Sequence, residues 1–146
     1  MKVVEVSDSK VVDSKKALAQ VVEDWNQAAS PWDPAALTAV YEDDGLMYAG
    51  RPHHVVGREA IHEYFASYVG DIFSAHLTMP DPFIRELGEG ALLVQGPVYF
   101  KFVLSGDEHT RTTMRGTLVL VNRSGRWRIL QHHFSSVPDA PPLGRN

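Results

Sequence analysis

The stretch RWRILQHHF, residues 126–134, ends in two adjacent histidines. Histidine is the side chain whose ordinary charge change lies closest to neutral pH, and it serves readily as proton carrier or metal ligand. In a strand, successive side chains point to opposite faces. Trp127, Ile129, Gln131 and His133 are therefore expected on one face, and Arg128, Leu130, His132 and Phe134 on the other. Trp127 and Ile129 mark the first face as buried. The alternation predicts His133 in a pocket, and His132 with Leu130 and Phe134 on an outer face that a second copy covers.

Acid–base catalysis in an apolar pocket needs a carboxylate, or a histidine with a carboxylate partner, whose pKa burial moves toward neutrality. Such groups are scarce. Between residues 90 and 136 the only acids are Asp107 and Glu108, in a turn between strands. Glu42, Asp43 and Asp44 are expected at the solvated end of a helix. Asp24 beside Trp25 and Glu63 beside His62 are the helix-borne candidates for partnering a base. A metal is not expected: His53 and His54 are adjacent rather than spaced as ligands, HEYF lacks the second histidine of a zinc-binding helix, and the chain has no cysteine. No phosphate-cradling glycine motif is present, and no cofactor is expected.

The aromatic residues belong mostly to a core, but a buried tyrosine seeks a hydrogen-bond partner and turns its polar tip toward one. The expected pocket therefore joins Trp25, Tyr48, Tyr64 and Tyr99 with His62, Arg115 and His133.

These side chains must be positioned by one domain, since 146 residues suit a single core, with an arm at 1–9 and a proline-rich tail at 138–146. The formal charge of −4 and scattered basic residues speak against nucleic acid, and no apolar run approaches a membrane span. With no signal-peptide pattern at the start, cytoplasmic residence is the default expectation.

Leu18, Val21, Val22 and Trp25 recur at helical spacing within residues 9–29, which predicts a long helix. SPWDPAALTAVYEDD restarts a helix, with Asp33 as N-cap, Pro34 in its first turn, and Leu37, Val40 and Tyr41 on one face. GLMYAG reads as a strand. Ile61, Tyr64, Phe65 and Tyr68 then mark a third helix. From His76 onward the period changes to two, in four runs separated by GEG, SGDE and SG, an antiparallel meander. Pro80 and Pro82 predict an edge or bulge at its start, and Gly96-Pro97 a bend in the next strand. Helices followed by an antiparallel sheet make an α+β domain, with helices on one sheet face only.

EDWNQAASPWDPAALTAVYEDDGLMYAG followed by GREAIHEYF resembles the front half of SnoaL-like members of the nuclear transport factor 2-like superfamily. HLTMPDPFIRELGEGALL through SGRWRILQHHFSSVP is similar to the association (hub) domain of calcium/calmodulin-dependent protein kinase II and its free-standing bacterial relatives. The likeness spans roughly residues 10–140. It implies a cone in which a curved antiparallel sheet wraps three N-terminal helices, with a pocket on the concave side and a dimer on the convex side. Hub domains line their pocket with arginines, and the matching positions here are His62, Leu118 and Phe134. That cationic pocket is not carried over intact, although Arg115 lies close by in sequence.

The fold alone assigns no reaction. Two classes of function remain. One is a non-catalytic or accessory homodimer that binds a small organic molecule in an apolar pocket. The other is a cofactor-independent enzyme, a cyclase, isomerase, dehydratase or hydrolase, acting on a small hydrophobic metabolite. The shortage of pocket carboxylates favours the first.

Overall fold

The computed structural model describes residues 3–144, with side chains from Asp13 onward. Helix α1 (Val3–Ala28) takes in residues 3–9 of the expected arm; Met1 and Lys2 lie outside the described residues. Its buried stripe is Ser14, Ala17, Leu18, Val21, Trp25 and Ala28, the spacing of one helical face. Two amide side chains fasten this helix to the sheet. Gln20 donates to the Trp127 carbonyl (3.0 Å) and accepts from the Trp127 N–H (3.1 Å). Asn26 donates to the Leu77 carbonyl (2.9 Å) and accepts from the Leu77 N–H (2.8 Å). Each amide thus mimics a neighbouring strand, and each bond contributes about 1 kcal/mol.

Helix α2 (Pro34–Thr38) starts as the sequence predicts, with Asp33 accepting from the Ala36 N–H, but ends earlier. Strand β1 (Tyr41–Tyr48) begins at the tyrosine expected on that helix, because Tyr41 pairs with Ile129. Glu42, expected on a solvated helix end, is therefore in the strand and buried. Asp43 and Asp44 are exposed, paired with Arg58 and Arg123. After β2 (Val55–Val56), α3 (Arg58–Ala66) buries Ile61 and Phe65.

The remaining strands are β3 (Ile72–Thr78), β4 (Phe83–Gly88), β5 (Ala91–Leu104), β6 (Glu108–Asn122) and β7 (Trp127–Ser136). They form one curved, unclosed sheet in the order β2-β1-β7-β6-β5-β3. β5 pairs β6 along one edge, while its other edge is shared by β4 and β3. Pro80 and Pro82 fall in the gap between those two, where no ladder N–H is needed. The sheet is mixed rather than wholly antiparallel, since β1 lies parallel to β7. The chain reaches β1 from the helices and not through a hairpin, so no tight turn imposes the antiparallel sense. Among the described residues no helix is long and apolar enough to cross a membrane.

On the helix-covered face, Phe134 lies opposite Gly116, and Gly116 opposite Gly96. A Cβ on Gly116 would stand 2.4 Å from Val98 Cγ2 and 3.0 Å from the Phe134 ring. Neither neighbour has free space to retreat, because both are buried. Gly116→Ala is expected to destabilise the fold by about 1–3 kcal/mol, the usual cost of overpacking. Urea denaturation checks this, and an unchanged midpoint would refute it.

Candidate functional site

The interior is organised by a closed circuit of rings. Trp25 meets Trp32 (6.2 Å between centroids), Trp32 meets Phe65 (5.7 Å), and Phe65 meets Tyr41 (5.6 Å). Tyr41 stacks on His132 (5.8 Å, 20°), His132 touches Phe134 (3.7 Å), Phe134 meets Phe100 (5.4 Å), and Phe100 returns to Trp25 (6.0 Å). Helix α1, the α1–α2 loop, α3, β1, β5 and β7 each supply part of it. The only nitrogen heterocycle on it besides the two indoles is His132.

His132 is 3% exposed, flanked in register by the buried Met47 on β1 and Leu118 on β6. Tyr41 Oη and His132 Nδ1 are 2.7 Å apart. The direction of this bond follows from the inventory of donors. Nδ1 is the one hydrogen-bond partner of the buried Tyr41 hydroxyl among the described residues, so an Nδ1–H donating to that oxygen would strand the hydroxyl proton. The proton of Tyr41 therefore goes to Nδ1, which makes Nδ1 the acceptor and leaves the imidazole proton on Nε2. Nε2 has no hydrogen-bond partner among the described residues and is closed off from solvent.

Burial, reinforced by the neighbouring His133, pushes the His132 pKa down to about 3. Burial also raises the Tyr41 hydroxyl far above its ordinary value, more than the nearby Trp25 indole lowers it. Both groups are neutral near pH 7. A base with so low a pKa abstracts protons poorly there, and its Nδ1 partner is a phenol, not a carboxylate. What His132 offers is a fixed, desolvated N–H donor. Glu42 is the other buried side chain with a partnerless atom, Oε1, and no hydrogen bond joins it to His132 or Tyr41.

The structure corrects the face assignment of the two histidines. Leu120 pairs with Ile129 but Val119 pairs with Gln131, so Leu130 is an extra residue in β7 and the alternation changes phase there. His132 and Phe134 point inward, not to an interface, and His133 is exposed; Leu130 sits half-buried at the bulge. Trp25 lies in the interior circuit, and Leu118 and Phe134, two of the arginine positions of the hub pattern, are interior too. Tyr64 flanks the circuit through Phe65, and its hydroxyl accepts from the Gly50 N–H (3.0 Å). Its hydroxyl pKa is raised, by burial first and then by its contact with Tyr68. His62 is exposed on α3.

Tyr48, Tyr99, Arg115 and His133 do come together, but on the outer face. Tyr99, Arg115 and His133 line a groove of about 630 Å³, and Tyr48 lies against His133 (5.7 Å) and stacks on His54 (4.5 Å). Neither expected acid serves the interior. Asp24 is held by Gln20 (2.7 Å) and Arg126 (2.5 Å), and Glu63 is exposed. Among the described residues no three His, Asp or Glu side chains converge as metal ligands. Sequence reasoning missed Tyr41, which it placed on a helix. The sequence offered no decisive signal for the bulge: Ile129 and Phe134 are apolar residues of opposite parity in one strand, a pattern that an inserted residue and a covered outer face explain equally well.

Linkage makes His132 a pH-dependent liability. Its folded pKa is depressed to about 3, so between that value and the ordinary one near 6.5 the unfolded chain binds the extra proton. This contribution to stability is complete above about pH 6.5 and is lost as pH falls toward 3, by about 1.4 kcal/mol per pH unit at most. Denaturation midpoints between pH 7 and pH 4 are expected to fall less steeply for His132→Phe than for the unaltered chain. Tyr41→Phe, which strips Nδ1 of its partner, is expected to cost about 1–3 kcal/mol at pH 7. Equal pH slopes with and without His132 would contradict this account.

The SnoaL-like domain family matches residues 18–140. Among solved structures, a Xanthomonas campestris protein described as a calcium/calmodulin dependent protein kinase II association domain is similar, with 22% identity and a TM-score of 0.75 over 84% of this chain and 87% of that one. A Novosphingobium aromaticivorans protein described as a scytalone dehydratase has 16% identity and a TM-score of 0.75 over 96% and 99%. A nuclear transport factor 2-like superfamily protein from Salmonella enterica has 18% identity and a TM-score of 0.70 over 94% and 99%. No curated protein matches the sequence. At these identities the solved structures speak for the fold and not for a ligand or reaction. With that family model covering residues 18–140, the chain belongs to the SnoaL-like domain family.

Proposed function

We propose that the protein binds a small, largely apolar organic molecule in its aromatic interior, with His132 Nε2–H donating to an oxygen of that molecule. The observation that carries this reading is the orphaned donor itself. A buried donor without a partner costs about 1–3 kcal/mol, so a native structure that keeps one calls for an acceptor to meet it. The surroundings are rings and aliphatic side chains, the usual lining of a small-molecule site with a single orienting polar group. A carbonyl is the acceptor that suits it best, because a neutral donor in an apolar site gains from a polarised, uncharged oxygen.

A second reading keeps this pose and adds a reaction. The bond from Tyr41 to His132 locks the tautomer, and a neutral imidazole N–H so held can polarise a substrate carbonyl as an electrophile. The proton transfers of such an enzyme would need a separate base, and the interior circuit holds no carboxylate.

The protein acts in this reading as a homodimer joined through the outer sheet face. Leu46, Gln131, Val119 and Leu93 form one cross-strand row there, with Leu46 exposed and the aromatic Tyr48, Tyr99 and Phe83 exposed beside it. An open sheet face with an apolar centre calls for a cover.

Native mass spectrometry of the purified protein is expected to reveal a bound organic mass or, with a library of small carbonyl compounds, a saturable one. His132→Phe should weaken that binding about tenfold or more, while His133→Ala leaves it alone. No bound mass from any source, or equal affinity in both variants, would overturn the reading. Conversion of the captured compound on incubation would select the enzymatic version. Val119→Glu is expected to shift the mass in light scattering from dimer to monomer, and a monomer before the substitution would remove the dimer.

A further inference from the structure

A cleft elsewhere on the molecule carries an opposite chemistry. On three neighbouring strands His76 lies opposite Lys101, and Lys101 opposite Arg111, with His109 two residues along β6 from Arg111. A cleft of about 300 Å³ is lined by these four side chains. Ser30 and Ser74 bring hydroxyls to its walls and Val103 an apolar side chain, while Phe102 and Thr110 turn their side chains to the opposite sheet face from Lys101 and Arg111. No carboxylate lines it.

Directly opposed like charges weaken a sheet. Among the described residues neither Lys101 nor Arg111 has an ion-pair partner, while Arg58, Arg123 and Arg126 form pairs elsewhere and His109, within the cleft, pairs with Asp107. The chain as a whole carries a formal charge of −4, so this uncompensated strip runs against its composition. An ammonium, a guanidinium fork and two hydroxyls offer more donors than the two oxygens of a carboxylate can accept. A tetrahedral dianion with three or four oxygens uses them all.

We propose that this cleft is a phosphate-binding site, in which Lys101 and Arg111 hold the anion, the hydroxyls of Ser30 and Ser74 complete its hydrogen bonds, and any attached apolar group rests on Val103. His76 and His109 flank the anion. Asp107 restrains His109 from the rim, with Oδ1 and Nε2 3.1 Å apart.

The test is a titration of the full chain, followed by amide NMR shifts, with inorganic phosphate, phenyl phosphate and acetate at matched ionic strength, since screening changes any surface affinity. Phosphate is expected to give saturable shifts confined to β3, β5 and β6 around the cleft, with acetate weaker. Lys101→Gln and Arg111→Gln should each weaken phosphate about tenfold, the worth of a charge-assisted hydrogen bond. Asp107→Asn should act in the other direction, tightening phosphate about two- to threefold by removing one nearby negative charge. That substitution spares the turn, because Asp107 has φ 60° and asparagine adopts this conformation readily. A variant effect of each sign cannot arise from loss of folding. Tighter binding of phenyl phosphate than of inorganic phosphate would identify the ligand as a phosphate monoester, and equal binding as the free anion. Non-saturable shifts, acetate equal to phosphate, or no response to Lys101→Gln and Arg111→Gln would overturn the proposal. So would a change of oligomeric state in Arg111→Gln with phosphate affinity unaltered, which would give the strip to a second copy instead.

Discussion

Strand β7 carries one residue more than the stretch of β6 it pairs with, and β1 bows out at the same level. On the β6 side Leu130 has no partner, and on the β1 side four residues, Glu42 to Gly45, stand against that one. The two irregularities are one constraint, since a strand between two neighbours cannot gain a residue unless both accommodate it. Gly45 permits the bow: a Cβ there would lie 2.9 Å from the Ile61 side chain of α3 and 3.0 Å from the Glu42 carbonyl. Everything distinctive about the interior follows. Past the bulge β7 turns His132 and Phe134 inward, and Tyr41, placed just before the bow, stands where its hydroxyl meets Nδ1. A β7 without Leu130 in excess would present His133 to the interior, and Tyr41 would have no imidazole to bond.

The second constraint is the attachment of α1. A helix laid across a sheet by apolar contact alone can slide or turn, because hydrophobic burial is non-directional. The amides of Gln20 and Asn26 remove that freedom by exchanging paired hydrogen bonds with the backbones of Trp127 and Leu77, on strands separated by β6 and β5 in the sheet order. Trp25, between them in the helix, is thereby fixed against Tyr41, Trp32 and Phe100. Positional precision at His132 therefore begins with two polar side chains remote from it.

The helices, the strands and the proline gap could be read from the sequence because each leaves a local mark. Leu18, Val21 and Trp25 repeat at helical spacing; Pro80 and Pro82 break a ladder wherever they fall. The bulge leaves no such mark, since the periodicity of RWRILQHHF continues unbroken through Leu130 and only the pairing with Val119 and Leu120 reveals the slip. One residue of slip reverses a whole strand end and takes His133 to the outer face; of the expected pocket of Trp25, Tyr48, His62, Tyr64, Tyr99, Arg115 and His133, four residues, Tyr48, Tyr99, Arg115 and His133, cluster there. The parallel pairing of β1 with β7 is invisible for a related reason: it joins residues 85 to 88 positions apart, as in Tyr48 with His133 and Tyr41 with Ile129, and nothing local in YEDDGLMY states its partner. Glu42 followed from the same error, because a helix end was the solvated alternative to a buried strand.

The sheet also acts as an electrical partition, and its own alternation draws the line. β5 turns Val94, Val98 and Phe100 inward and exposes Gln95, Tyr99 and Lys101; β6 turns Leu118 and Leu120 inward and exposes Thr113, Arg115 and Arg111. Inside, burial keeps His132 and Tyr41 uncharged, so the ligand proposed for the interior would be selected by shape and by one hydrogen bond. Outside, water supports formal charge, and selection there rests on charge and donor geometry. Because adjacent residues of one strand serve opposite sides, a substitution such as Lys101→Gln changes the outer chemistry while the inward Phe100 and Phe102 stay in place. The two faces are separable by design of the pleat, and a single inserted residue is the one kind of change that would exchange them.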